Sequence, residues 1–251
     1  MGRIIGADTA GRADSIVNGT SKSYIKWSQE QVGAGTGGWA FMGRYLVRLP
    51  NICEGLTTEN SNGTFSNTGE LQKIYDNGTP VVLVDNRGTN PGYEWGLNGA
   101  NGISHAQKAK AAAIALGIPA GKCIFVDVER KWSEMGNYLN NYKNELENVG
   151  TTKYKMGVYF SASYYNDILK NFSSLGSTFT WVAKWNKNYM YPNWPTAFDN
   201  TITGLGQLKI WQFIDDIYEA YTNYGKHFVD LNLIMDDLLS SLRAIMHHPY
   251  L

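Results

Sequence analysis

The segment Cys123-Ile-Phe-Val-Asp-Val-Glu129 begins with the composition of a buried strand and ends with two carboxylates one residue apart. Side chains alternate faces along a strand, so Asp127 and Glu129 point the same way, with Cα atoms about 6.5–7 Å apart. Two acids delivered together at the end of a buried strand serve a core badly and an acid/base site well. The other reading of the pair is structural, with both carboxylates bonded to loop amides or to Lys and Arg side chains.

The same theme recurs along the chain. Residues 3–8 (Arg-Ile-Ile-Gly-Ala-Asp) read as a strand ending in Asp8, and residues 80–86 as one that reaches Asp85. Residues 39–47, 155–160, 179–185, 208–213 and 229–233 bring the candidate strands to eight. Helices are expected at 24–32, 68–75, 104–116, 132–148 and 163–172, the Ala-rich third one capped by Ser104 and stopped by Gly117. Residues 50–69 and 87–102 read as long polar loops. The run 33–38 matches G-x-G-x-x-G but follows a helix and precedes a strand, the reverse of a dinucleotide site, and reads as a connection. A terminal helix is expected at 234–245 and a frayed tail at 246–251, so the domain should span 1–245.

Strands that alternate with helices through the first two-thirds imply a parallel sheet. The expectation is an α/β fold, a single TIM-like barrel with a strand-rich final third. The chain's 251 residues suit one barrel of about 250. An open doubly wound sheet is the alternative. Acids at several strand ends favour the barrel, which places its chemistry there.

Composition removes several function classes. Basic and acidic residues balance at 22 each with no long run of either sign, which leaves no nucleic-acid footprint. No apolar stretch reaches the roughly 18 residues of a membrane span, and the N-terminus enters a strand without the apolar core of a signal peptide. Cys53 and Cys123 have no metal-ligand spacing, and a disulfide between them is the alternative to two thiols. The four histidines form no zinc pair and no nucleophile elbow is present, so neither metal nor cofactor is expected. Eight Trp and sixteen Tyr exceed the needs of a core this size and suit stacking beneath sugar rings, with packing as the reading for at least half of them.

Several motifs, in order, resemble the lysozyme-type barrel of glycoside hydrolase family 25. They resemble more closely the related glycoside hydrolase-like proteins of domain-of-unknown-function family 1906. They are Gly6-Ala-Asp8, Gly43-Arg-Tyr45, Gly117-Ile-Pro-Ala-Gly121 leading into Phe125-Val-Asp-Val-Glu129, Gly157-Val-Tyr159, Trp181-Val-Ala-Lys-Trp185, Ile210-Trp-Gln-Phe213 and Val229-Asp-Leu-Asn232. The resemblance implies five βα units followed mostly by strands, Glu129 as general acid, Asp127 as its assistant, and Asp8 and Asp230 in the same cleft. It also implies bacterial cell-wall glycan as substrate and an extracellular, wall-associated or phage-lysin setting.

Glycoside hydrolysis needs a proton for the departing oxygen and negative charge for an oxocarbenium-like transition state. Two carboxylates in unequal surroundings divide those roles, and in an N-acetyl sugar the acetamido oxygen can act as nucleophile. Chitinase-type barrels carry two further acids upstream of this pair. Lys122 and Phe125 stand at those positions here, which argues against that class. Asp8, Asp230 and Asp85 either line a cleft or cap loops and turns. Tyr159, Trp181 and Trp211 either contact sugar or pack the barrel. Gln212 and Trp211 are neighbours on a strand, so both face inward only if the strand twists or ends there. Arg44 either binds an anionic group of the glycan or pairs with an acid near the barrel end. The expected protein is a monomeric glycosidase acting on peptidoglycan; the competing class is a glycan-binding surface module that lacks turnover.

Overall fold

The computed structural model describes residues 3–33, 40–50, 53–87, 97–186, 189, 195–222, 225–235 and 246–247. Strand β1 (Arg3–Asp8) leads to helix α1 (Tyr24–Gly33). Strand β2 (Met42–Tyr45) leads to α2 (Glu70–Asp76) through a small hairpin, β3 (Thr57–Glu59) and β4 (Phe65–Asn67). Then β5 (Val81–Asp85) with α3 (Gly99–Ala115), β6 (Cys123–Val128) with α4 (Met135–Asn148), and β7 (Lys155–Ser161) with α5 (Tyr165–Asn171) complete five βα units. Strands β8 (Phe179–Ala183), β9 (Gln207–Thr222), β10 (Gly225–Met235) and β11 (Met246–His247) follow.

Eight strands close in the order β1-β2-β5-β6-β7-β8-β9-β10. Neighbours from β1 round to β9 are parallel, and β10 runs antiparallel to both β9 and β1. This is the expected TIM-like barrel with its strand-rich final third. Alternation sorts the side chains into two cores. Val82, Val84, Cys123, Phe125, Trp181, Ile210 and Ile234 fill the inside, while Ile124, Val126, Val128, Trp211 and Phe213 pack on the helix side.

Glycines make room for the large rings inside. A Cβ at Gly43 would stand 2.5 Å from the Trp181 ring and 2.8 Å from Asp8 Cβ, and one at Gly157 would stand 2.5 Å from the Phe125 ring. Trp181 and Phe125 meet edge to face, with ring centroids 5.7 Å apart.

Several boundaries differ from those read off the sequence. The third helix begins at Gly99 because Asn98, not Ser104, caps it: its side chain accepts from the Ala100 and Asn101 amides, and Asn101 returns a bond. The loop at 50–69 contains the β3–β4 hairpin. Strands β9 and β10 run well past the expected 208–213 and 229–233. Their register shifts twice: Phe213 is an extra residue between Gln212↔Asn232 and Ile214↔Leu231, and residues 215–217 stand opposite Asp230 alone. Met246 and His247, read as frayed tail, pair with Val82 and Val81. Of the expected terminal helix, Ile234 and Met235 belong to β10 and the remainder lies outside the described residues. So do positions 34–38 of the glycine-rich run and 88–96 of the second long loop. Cys53 and Cys123 are buried free thiols.

Outside the barrel wall, Arg44 forms a fully buried ion pair with Glu70. Its Nε lies 2.7 Å from Glu70 Oε1, and it also donates to the carbonyls of Thr9 and Glu54. Glu70 Oε1 accepts from the Ala13 amide as well, at 2.9 Å. The pair thus ties β2, the segment after β1, and α2 together. Glu70→Ala leaves the guanidinium buried without its counter-charge and is expected to cost about 3–5 kcal/mol in urea unfolding. Gly43→Ala should cost about 1–3 kcal/mol by overpacking the interior against Trp181, read by the same measurement.

Candidate active site at the carboxyl end of the barrel

On several strands the inward row ends in a polar side chain at one mouth of the barrel. Asp127 on β6 pairs in register with Tyr159 on β7, and Tyr159 with Trp181 on β8. Gln212 on β9 lies opposite Asn232 on β10, and Asp230 opposite Asp8 on β1. Glu129 follows the end of β6. It is open to solvent, whereas Asp127 is 2% exposed.

Two amide side chains organise this mouth. The Gln212 carbonyl accepts from Tyr159 Oη at 2.8 Å and from Trp185 Nε1 at 3.2 Å. Its Nε2 donates to Asp230 Oδ2 at 3.1 Å and, more weakly, to Asp8 Oδ1 at 3.4 Å. Asn232 accepts from Trp181 Nε1 at 2.8 Å and donates to Asp8 Oδ1 at 2.5 Å. The other oxygen of Asp230 accepts from the Asp216 amide at 2.7 Å, and Asp216 holds a left-handed φ of 48° within the three-residue bulge. Each amide has one acceptor and two donors, so it joins ring N–H and O–H groups to carboxylates.

Burial and mutual repulsion favour protons on this cluster. Burial pushes the Asp8 carboxyl up to about 7, with Glu129 adding to the rise and the bonds from Asn232 and Gln212 opposing it. Asp230 is pushed well above the ordinary carboxylate range by burial and by Asp8. Partial burial raises Glu129 even though one side of it meets solvent, while a hydrogen bond with Tyr159 holds it down. Tyr45 and Tyr159 rise by burial first, then because both Asp127 and Glu129 are close. Tyr159 therefore stands between the Glu129 carboxyl, with which it is hydrogen-bonded, and the Gln212 carbonyl, to which its O–H donates. One carboxyl at the surface is thus disposed to keep its proton, with a second buried behind it, an arrangement that can serve acid/base chemistry.

Six residues anticipated from the sequence meet here: Asp8, Asp127, Glu129, Tyr159, Trp181 and Asp230. Trp181 is 1% exposed, so it packs the interior and offers no free face to a sugar. Three others stand outside the barrel. Trp211 is buried on the helix side with its Nε1 on the Lys184 carbonyl. Arg44 is held by Glu70. Asp85 accepts from Arg87 Nε at 2.9 Å and Tyr142 Oη at 2.8 Å. All three fall on the outward phase of their strands, which removes them from the cleft. Gln212, Asn232, Tyr45 and Trp185 were not anticipated as site residues. The signal for Gln212 was present, because inward and outward neighbours must alternate and Trp211 took the outward place. Among the described residues, no group of three His, Cys, Asp or Glu could hold a metal ion, and no helix is long and apolar enough to cross a membrane.

A carboxyl whose pKa rises on folding adds stability that is complete below its unfolded value and is lost as pH climbs through the folded one. Stability should therefore decline between about pH 4 and 7 through Asp8, and Asp8→Asn should flatten that decline in denaturant titrations at each pH. By carbon-detected NMR, Asp8 should titrate near 7. Glu129→Gln should lower that value by removing a like charge, and Asn232→Ala should raise it by removing a donor.

A family model described as Rv2525c-like, glycoside hydrolase-like domain matches residues 36–232. No curated protein matches the chain. Solved structures share the fold at low identity. An uncharacterized B. stearothermophilus protein superposes with a TM-score of 0.65 at 21% identity, covering 97% of this chain and 100% of that one. The Mycobacterium tuberculosis Tat-secreted protein Rv2525c, in complex with L-tartrate, gives 0.53 at 18%, covering 93% and 95%. The modular autolysin LytC from Streptococcus pneumoniae, in complex with a synthetic peptidoglycan ligand, gives 0.54 at 15%, covering 93% of this chain and 47% of that one. The match spans well over half of the sequence and names the kind of family its motifs led to: the chain belongs to the Rv2525c-like, glycoside hydrolase-like domain family.

Proposed function

We propose that this protein hydrolyses bacterial cell-wall glycan, with Glu129 as general acid and Asp127 as assisting carboxylate. One observation carries the reading: a solvent-facing carboxyl with a raised pKa, just past the end of β6, follows by two residues a buried carboxyl on that strand, at the carboxyl end of a barrel. Glu129 gives its proton to the glycosidic oxygen as the bond to C1 breaks. The sugar's acetamido oxygen closes on C1, and Asp127 balances the charge that builds on the acetamido group. Glu129, now ionised, takes a proton from the water that opens the intermediate. Asp8, Asp230 and Tyr159 bind substrate around that centre.

The autolysin's peptidoglycan ligand and the Tat-secreted mycobacterial neighbour support a wall glycan and a location outside the cell. The protein would act as a monomer without a cofactor. The second reading is a glycan-binding module without turnover. It draws on the 2% exposure of Asp127, which limits that residue's access to a sugar.

Purified protein incubated with peptidoglycan should release reducing ends, and Glu129→Gln should lower that rate by about 10²–10⁴-fold. Binding by both forms with release by neither would establish the module instead. The active acid must be protonated, so the rate should fall as pH rises through the Glu129 pKa. Tyr159→Phe removes a bond that holds that pKa down and should move the basic limb to higher pH.

A further inference from the structure

Trp185, two residues past the end of β8, differs from the tryptophans of the barrel strands. Trp181 and Trp211 are 1% and 0% exposed, whereas Trp185 is 55% exposed. It follows Ala183 by two residues, in phase with Trp181, and so belongs to the mouth. An exposed indole ordinarily satisfies its N–H with water and is free to turn. Here Nε1 donates to Gln212 Oε1 at 3.2 Å, the same oxygen that accepts from Tyr159, and Tyr159 is bonded to Glu129. A single amide thus fixes a large apolar plane at the rim relative to the surface carboxyl. Holding an aromatic face in water, in fixed orientation and with its polar edge already satisfied, leaves only the π-face for contact.

We infer that Trp185 is a stacking platform for one pyranose ring of an N-acetylhexosamine polymer, seated next to the glycosidic bond that Glu129 protonates. The axial C–H groups of a β-linked sugar form an apolar face that matches the indole. The Gln212 bond sets that ring's position relative to Glu129 before substrate arrives. The inference rests on the glycan reading above and adds to it the residue that sets the register of the chain in the cleft.

The test is calorimetric titration of chitotetraose into the full chain carrying Glu129→Gln, so that binding is read without turnover. Adding Trp185→Ala should weaken binding roughly tenfold, the usual cost of removing a tryptophan anchor. Trp185→Phe keeps an aromatic face without the N–H and should stay within about threefold of the parent. Thermal midpoints of all three should agree within about 2 °C, as for a surface substitution in a chain this long. Binding by Trp185→Ala within twofold of the parent would overturn the platform. So would a Phe variant as weak as the Ala variant, or no binding of chitotetraose by the parent.

Peptidoglycan turnover, measured separately without Glu129→Gln, keeps the two proposals apart. Trp185-dependent binding without turnover removes the hydrolase and keeps the platform. Turnover with unchanged KM in Trp185→Ala removes the platform and keeps the hydrolase.

Discussion

A closed barrel allows each strand residue only two directions, and everything at the mouth follows from that two-residue period. Inward side chains must fill a narrow tube, so most are apolar and two key positions are glycine. The tube ends where the inward rows turn polar: Asp8, Asp127, Gln212, Asp230 and Asn232 all occupy that phase. The outward phase of the same strands carries Arg44, Asp85 and Trp211, each satisfied against the helical layer. Identical residue types therefore do unrelated work one position apart.

The polar mouth is held as one network rather than as separate contacts. Gln212 joins Tyr159 and Trp185 to Asp8 and Asp230, and Asn232 joins Trp181 to Asp8. Burial is what chiefly moves the pKa values of Asp8, Asp230 and Glu129 upward, and like charge nearby adds to the rise for Asp8 and Asp230. The amides let protonated and ionised forms share one geometry, because each can donate to a carboxylate oxygen and accept from a ring. Glu129 escapes this closure on its solvent side, which separates it chemically from its buried neighbours.

Much of the fold was legible because the strand–helix alternation is long and regular, and β1 begins and ends where the sequence placed it. The placing of Asp127 on β6, with Glu129 just past its end, was legible for the same reason. What failed was the choice between inside and outside. Parallel strands buried on both faces carry no polarity alternation, and β5 is buried at all five positions, so nothing local distinguishes Asp85 from Asp127. The long β9–β10 arm was missed because Tyr, Glu and Asp interrupt its apolar pattern. The hairpin within 50–69 did have a signal, the Asn62-Gly63 pair, and Gly63 takes the left-handed φ of 77° that such turns use. Asn98 outranked Ser104 as a cap because Asn101 returns its bond.

The extra residue at Phe213 has an architectural effect on access. Trp211 and Phe213 face the helical layer, and so does Ile214, because the bulge turns β9 by one step while β10 continues with Leu233, Leu231 and Val229 on the same side. Gln212 is the last residue of β9 before that slip, and it bonds to Asp8 and Asp230 across the mouth. With an uninterrupted ladder, Ile214 would take the next inward place and lay a greasy lid above the amide that joins Asp8 and Asp230. A one-residue slip in a single strand thus keeps this side of the doorway hydrophilic.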